Sequence, residues 1–228
     1  MDLTHVQLDR FIPGRPAPFA TVGERAWKDA IALSLASVEP DARGVFLDLH
    51  FAVAPAIGYA EGADLDNLCE PVFSVLANRL GWFGGKRPNV RAFRARKALA
   101  EPTGCRIRIT DSRWAETSLA GDVLLDGAFM DELPRSARDA NFAAWVSRTM
   151  SRPARSIGGL TIELGFAGPV NLGDIATGRL KNVIDCLYPL IGGRPGAPND
   201  SRVTVIEATK MHSEVAAGVR VRVIEGPN

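Results

Sequence analysis

Two consecutive mixed α/β units, each running strand, helix, strand, helix, strand, strand, are predicted by three observations. First, residues 8–109 and 125–223 pass through the same landmarks in the same order: Leu8-Asp9 and Leu125-Asp126, then Trp27 and Trp145 on helical stretches. Second, an alternating segment, GVFLDLHF over residues 44–51, matches GLTIELGF over 159–166, with the terminal Gly and Phe coincident and Asp48 opposite Glu163. Third, both runs close on Gly-x-Arg-φ-Arg-φ, at Gly104 and at Gly218, after segments ending in Lys97 and Lys210. A period near half the chain is much longer than a solenoid unit and reads as tandem duplication. Two copies in one chain then form a pseudo-two-fold single-chain dimer, with repeats at residues 1–112 and 113–228.

Each element has a local reason. The first strand, residues 8–12, runs into Pro13-Gly-Arg-Pro-Ala-Pro18, where prolines exclude regular pairing. Residues 24–38 read as a helix because Trp27, Ile31 and Leu35 recur every four residues. Val45, Leu47, Leu49, Phe51 and Val53 alternate with other residues, the mark of a strand with one buried face. Leu68, Val72, Val75, Leu76 and Leu80 give a helical stripe that tolerates Pro71 in its first turn. Residues 90–96 and 106–109 are strands whose arginines can share a face. In the second copy the equivalents are a helix over 142–150, a strand over 160–166, a helix over 180–190 and strands over 203–208 and 219–224, with residues 111–122 as connector. Gly84-Gly85 and Gly192-Gly193 follow helices and read as C-caps, not as phosphate loops.

Composition narrows the function. With 46% hydrophobic residues the chain can bury a substantial core. It has no apolar run that could span a bilayer and no secretory leader pattern, so a soluble cytoplasmic protein is expected. Three scattered cysteines outside any C-x-x-C fit a reduced compartment and disfavour structural zinc. A net charge of +1 argues against wholesale coating of nucleic acid. The basic residues are nevertheless clustered: Lys86, Arg87, Arg91, Arg94, Arg96, Lys97, Arg106 and Arg108, with Arg202, Lys210, Arg220 and Arg222 in related places of the second copy. Such a cluster is either a solvated sheet face or a groove for DNA phosphates.

The segment Ala63-Asp-Leu-Asp-Asn-Leu68 opens the second helix. Two carboxylates two residues apart can hold a hard divalent cation, Mg²⁺ or Mn²⁺, through oxygens while leaving room for water and phosphate. Asp and Asn are also favoured helix caps, so Asp66 or Asn67 alone admits both readings.

The succession Phe11-Ile-Pro-Gly-Arg-Pro, Trp27 on a helix, an alternating strand, Asp64-Leu-Asp66-Asn67, a strand ending in lysine and Gly-x-Arg-φ-Arg-φ resembles the RusA-type Holliday-junction resolvases. The second copy is similar from about residue 160, through Leu180-Lys-Asn-Val-Ile-Asp-Cys-Leu187 and Asn199-Asp-Ser-Arg-Val203. The resemblance implies a Mg²⁺-dependent, structure-specific DNA endonuclease built as a dimer. Its site has the D-x-D-N carboxylates, a lysine four residues after the second of them, and an Asp in a D-[SDA]-x-[VI] turn. These motifs are divided here. The first copy keeps Asp64, Asp66 and Asn67 but has Glu70 at the lysine position and Arg87 at the later Asp. The second has Lys181 and Asp200, while Ile175, Ala176, Thr177 and Gly178 fill the D-x-D-N slots.

Two readings follow. One is a nuclease with a single composite site, in which Asp64, Asp66 and Asp200 hold the metal and Lys181 assists, acting on branched or duplex DNA. The other is a non-catalytic descendant that binds branched DNA or a protein partner. The composite reading requires residues more than a hundred positions apart to meet.

Overall fold

The computed structural model describes residues 6–38, 45–54, 63–82, 90–113, 121–155, 158–168, 171–211 and 217–226. Lys86, Arg87 and the Gly84-Gly85 pair lie outside them. The architecture is mixed α+β, a large mixed sheet with helices on its apolar face.

Eight strands form the sheet: β1 (Val6–Pro13), β2 (Val45–Val53), β3 (Val90–Leu99), β4 (Gly104–Thr110), β5 (Asp122–Phe129), β6 (Leu160–Ala167), β9 (Val203–Lys210) and β10 (Gly218–Glu225). Between β6 and β9 the two-residue strands β7 (Gly193–Arg194) and β8 (Ala197–Pro198) make a separate hairpin. The order across the large sheet is β1-β4-β2-β3-β9-β6-β10-β5. Read outward from the central β3–β9 pair, each side runs the same way: a parallel neighbour (β2, β6), then two antiparallel ones (β4 and β1; β10 and β5). The central pair is itself antiparallel, so the end of β3 lies beside the start of β9.

Strand alternation divides the sheet's faces. On one face Leu47, Leu49, Phe51, Phe93, Ile107, Ile162, Leu164, Ile206, Val221 and their neighbours are buried. They join one apolar cluster with the inward residues of α1 (Glu24–Leu35), α2 (Leu65–Ser74), α3 (Ala140–Thr149) and the later helices. The helices form because each carries such a stripe: Trp27, Ile31 and Leu35 on α1, and Phe142, Ala143 and Val146 on α3, whose start is capped by Asp139 accepting from Phe142 N–H at 3.0 Å. No described helix is long and apolar enough to cross a membrane.

The motif glycines have a steric cause. A Cβ on Gly104 would stand 2.4 Å from the Ile12 carbonyl oxygen, and one on Gly218 would stand 2.7 Å from that of Phe129. In both halves the edge strand approaches its neighbour too closely for any side chain.

One expected element differs. The second-copy helix does not run uninterrupted over 180–190. The helical rod starts earlier, at α4 (Leu172–Asp174), where Asn171 accepts from Gly173 N–H at 2.8 Å. It passes through a π turn, Ile175–Arg179, into α5 (Leu180–Asp185), breaks, and resumes as α6 (Tyr188–Ile191). Pro189 lacks the N–H that a continuous helix would donate to Asp185, which accounts for the break. A π turn, Val75–Arg79, likewise extends α2.

Candidate functional site

The antiparallel centre of the sheet brings distant segments to one end. Lys97, near the end of β3, lies on the helix side because it follows Phe93 and Ala95 in the alternation. Its ammonium donates to the carbonyl of Ala63 at 2.7 Å and to that of Ser201 at 2.8 Å. It thereby ties the residue before Asp64 to the residue after Asp200. Asp64 precedes α2 in extended conformation, Asp66 lies in its first turn, and Asp200 opens a 3₁₀ turn, Asp200–Arg202, that leads into β9. Helix α2 packs against the Ile175–Arg179 turn, which carries Lys181 to the same place.

Four of the predicted residues therefore meet. Lys181 Nζ stands 3.7 Å from an Asp66 oxygen and 3.7 Å from an Asp200 oxygen, so those oxygens are no further apart than twice that distance. Asp64 lies close enough to Asp200 to raise its carboxyl, and it accepts a hydrogen bond from the Asn67 amide at 3.0 Å. Sequence reasoning missed two members. Asp185 is buried and accepts from Lys181 at 3.1 Å. Lys97 was assigned to DNA, yet the structure commits it to this cluster. The Lys181–Asp185 spacing of four on a helix was a usable signal; Lys97 was marked only as the lysine that ends its strand, which does not say where its ammonium goes.

The cluster is short of positive charge. Burial drives the Asp66 carboxyl up to about 6, with Lys181 opposing and Asp64 and Asp185 reinforcing the rise. Burial and the charges of Asp64 and Asp66 push Asp200 to about 7, against the pull of Lys181. Asp185 is raised by burial, despite Lys181. Burial pulls Lys181 down, but Asp66, Asp185 and Asp200 outweigh it and hold the ammonium firmly protonated. Burial lowers Lys97, with Asp64, Asp200 and Asp66 resisting. One oxygen on Asp66 and one on Asp200 are buried without a hydrogen-bond partner among the described residues.

Carboxylates only, two of them with unsatisfied buried oxygens, suit a hard cation that keeps part of its water shell. A cavity of about 100 Å³ beside Asp66 and Lys181, walled by Phe19, Asn67, Glu70 and Thr177, has room for a few such waters. Among the described residues no three His, Cys, Asp or Glu side chains are gathered as a ready-made metal cage. Here Lys181 stands between the carboxylates.

The expected arginine surface is only partly as anticipated. Arg94, Arg96, Arg106 and Arg108 do share the face away from the helices, but it carries matching acids. A single register row crosses all eight strands: Asp9, Arg108, Asp48, Arg94, Glu207, Glu163, Arg222, Asp126. Arg94 grips Asp48 through two bonds of 3.2 and 2.9 Å, Arg96 joins the same carboxylate at 3.0 Å, and Arg106 holds Asp9 at 2.6 and 2.9 Å. Arg91 and Arg108 are exposed. Lys210, like Lys97, lies on the other face, because the alternation that aims Glu207 outward aims Lys210 with Ile206 and Ala208.

No protein-family model matches the chain, and no curated protein matches it either.

Proposed function

We propose that the protein is a RusA-like, divalent-cation-dependent endonuclease acting on branched DNA through one composite site in an internally duplicated, pseudo-two-fold chain. The observation that carries this reading is the convergence of Asp66 from the first half and Asp200 from the second on one lysine, with an unsatisfied buried oxygen on each. Support for the duplication comes from the strand order, which is the same outward from the centre on both sides, and from the shared steric need for Gly104 and Gly218.

Asp64, Asp66 and Asp200 would hold Mg²⁺ or Mn²⁺. When bound, the ion supplies an activated water and polarises a phosphoryl oxygen. Lys181 offsets charge on the leaving oxygen. Lys97 fixes the two carboxylate-bearing segments relative to each other through its bonds to Ala63 and Ser201. Exposed Arg91 and Arg108 contribute phosphate contacts of the kind that position a duplex without reading its sequence.

The test is cleavage of end-labelled four-way junctions, forks and duplexes in Mg²⁺ or Mn²⁺. Activity on branched DNA that vanishes in Asp66→Asn and Asp200→Asn alike supports the reading. Cation-independent junction binding without cleavage would favour the non-catalytic alternative. Absence of both at low salt would remove DNA from the account.

A further inference from the structure

Lys181 reaches carboxylates from both halves of the chain. Its ammonium contacts three carboxylates: Asp185 at 3.1 Å, and Asp66 and Asp200 at 3.7 Å each. Only the Asp185 contact has hydrogen-bond geometry; the nearer oxygens of Asp66 and Asp200 have no hydrogen-bond partner among the described residues. Asp185 is four residues along the same helix, so it can keep hold of the lysine whatever happens to the others. The Lys181 side chain is 44% exposed and borders the 100 Å³ cavity, so it has somewhere to go. Asp66 and Asp200, by contrast, are nearly enclosed. Lys97 cannot take over, because its ammonium is engaged by two backbone carbonyls.

Resting on the cation-site reading above, we propose that Lys181 is a built-in plug: its ammonium fills the cation position in the metal-free protein, and cation binding expels it from Asp66 and Asp200 while Asp185 retains it at the rim. The buried carboxylates are thus partly neutralised before the ion arrives, which lowers the cost of keeping them ionised together. The expelled ammonium, still tethered, then faces the cavity beside the carboxylates. Asp185 is on this account a positioning residue that acts through Lys181.

The experiment uses the full chain with Mg²⁺ or Mn²⁺ alone. Calorimetry compares wild type with Lys181→Met, whose fold is checked by circular dichroism. Removal of a competing ammonium at this range should tighten cation binding by about tenfold or more. In parallel, isotopically labelled lysine reports each Cε–Nζ pair by NMR; there are five lysines, and the Lys181 signal is the one lost in Lys181→Met. On Mg²⁺ titration that signal should move with the same midpoint as the calorimetric binding. In Asp185→Asn the ammonium loses its tether, sits deeper, and cation affinity should fall. Equal affinities in wild type and Lys181→Met would overturn the plug while leaving the cation site intact. Tighter binding in Lys181→Met with an unmoved Lys181 signal would also overturn it, since that is what distant repulsion alone would give. No binding by either protein would overturn both the plug and the site.

Discussion

Asp66→Asn should make the metal-free protein more stable at pH 8, the reverse of what removing a buried, contacted side chain usually does. Burial raises the Asp66 carboxyl from 3.8 to about 6, with Lys181 pulling the other way and Asp64 and Asp185 adding to the rise. The unfolded chain releases this proton near 3.8 while the folded protein keeps it to about 6. Wild-type stability therefore falls as pH climbs through that interval and stays lower above it. The difference corresponds to about 3 kcal/mol. An Asn amide left partly unsatisfied in the same place costs about 1 kcal/mol. The variant should thus gain about 2 kcal/mol at pH 8 and lose up to about 1 kcal/mol at pH 4, where the native aspartic acid is already neutral and only the amide cost remains. For a chain of this size the gain at pH 8 is a rise in Tm of about 4–8 °C. Scanning calorimetry with chelator present, at pH 4 and pH 8, measures it. Added Mg²⁺ should then raise the Tm of wild type and not of the variant, by mass action on the native state. A variant that melts at or below wild type at pH 8, or a difference that does not change with pH, would refute the claim that this carboxylate is held ionised at a cost.

Two further outcomes test the sheet. Arg94→Ala should destabilise by about 3 kcal/mol, read by urea unfolding, because it leaves the half-buried Asp48 with Arg96 alone; Arg108→Ala, at an exposed position, should change stability by less than about 0.5 kcal/mol. Weaker DNA binding in Arg94→Ala would therefore not by itself identify a phosphate contact, whereas in Arg108→Ala it would. Gly104→Ala and Gly218→Ala should each cost about 2 kcal/mol or more, with faster amide exchange in β1 and in β5 respectively, because each new Cβ meets the carbonyl oxygen of an edge strand.

What could be read from the sequence follows a physical division. Period-two alternation with one buried face is local, so β2 and the arginine-bearing strands were legible to within two or three residues. The glycines of the two closing motifs were visible as a pattern; their cause, a neighbouring carbonyl, belongs to strand pairing. The arginines' shared face followed from alternation, but their partners did not. Asp9, Asp48 and Glu207 come from three other strands, and only the pairing order puts them in one row. The same order sends Lys97 into the carboxylate cluster although Arg96 beside it points the other way. Asp64, Asp66, Asp200 and Lys181 were marked by motif spacing and resemblance, whereas their meeting depends on β3 and β9 being antiparallel neighbours. The second-copy helix was misjudged because a cap at Asn171 and a break at Pro189 outweighed an unbroken apolar stripe.

The arrangement at the centre of the sheet also bears on what such an enzyme could do to a junction. With Lys97 and Lys210 as counterparts, Arg94 corresponds to Glu207, and these two residues are also paired directly across β3 and β9. On the proposed duplication, a pseudo-two-fold axis would pass through this position, where a residue would meet its own counterpart. Identical residues there would set like charges opposite each other; Arg against Glu favours the two halves of one chain pairing with each other. The carboxylate cluster lies at one end of this pair, built from Asp64 and Asp66 on one side and Asp200 and Lys181 on the other. On the proposed correspondence, the positions of the second half that match Asp64–Asn67 hold Ile175, Ala176, Thr177 and Gly178, and the position of the first half that matches Lys181 holds Glu70, so the opposite end would not repeat the chemistry. One site makes one cut per encounter. On a junction labelled in both candidate strands, nicked product should therefore accumulate first, and paired cuts should appear only after a lag, by release and rebinding. Unlabelled junction added after the first nick should abolish the second cut. Asp66→Asn and Asp200→Asn should slow nicking by similar factors, about a hundredfold or more, because each withdraws one carboxylate from the same site. Paired cuts without a lag, undiminished by the competitor, would mean a second competent site and would defeat the composite assignment.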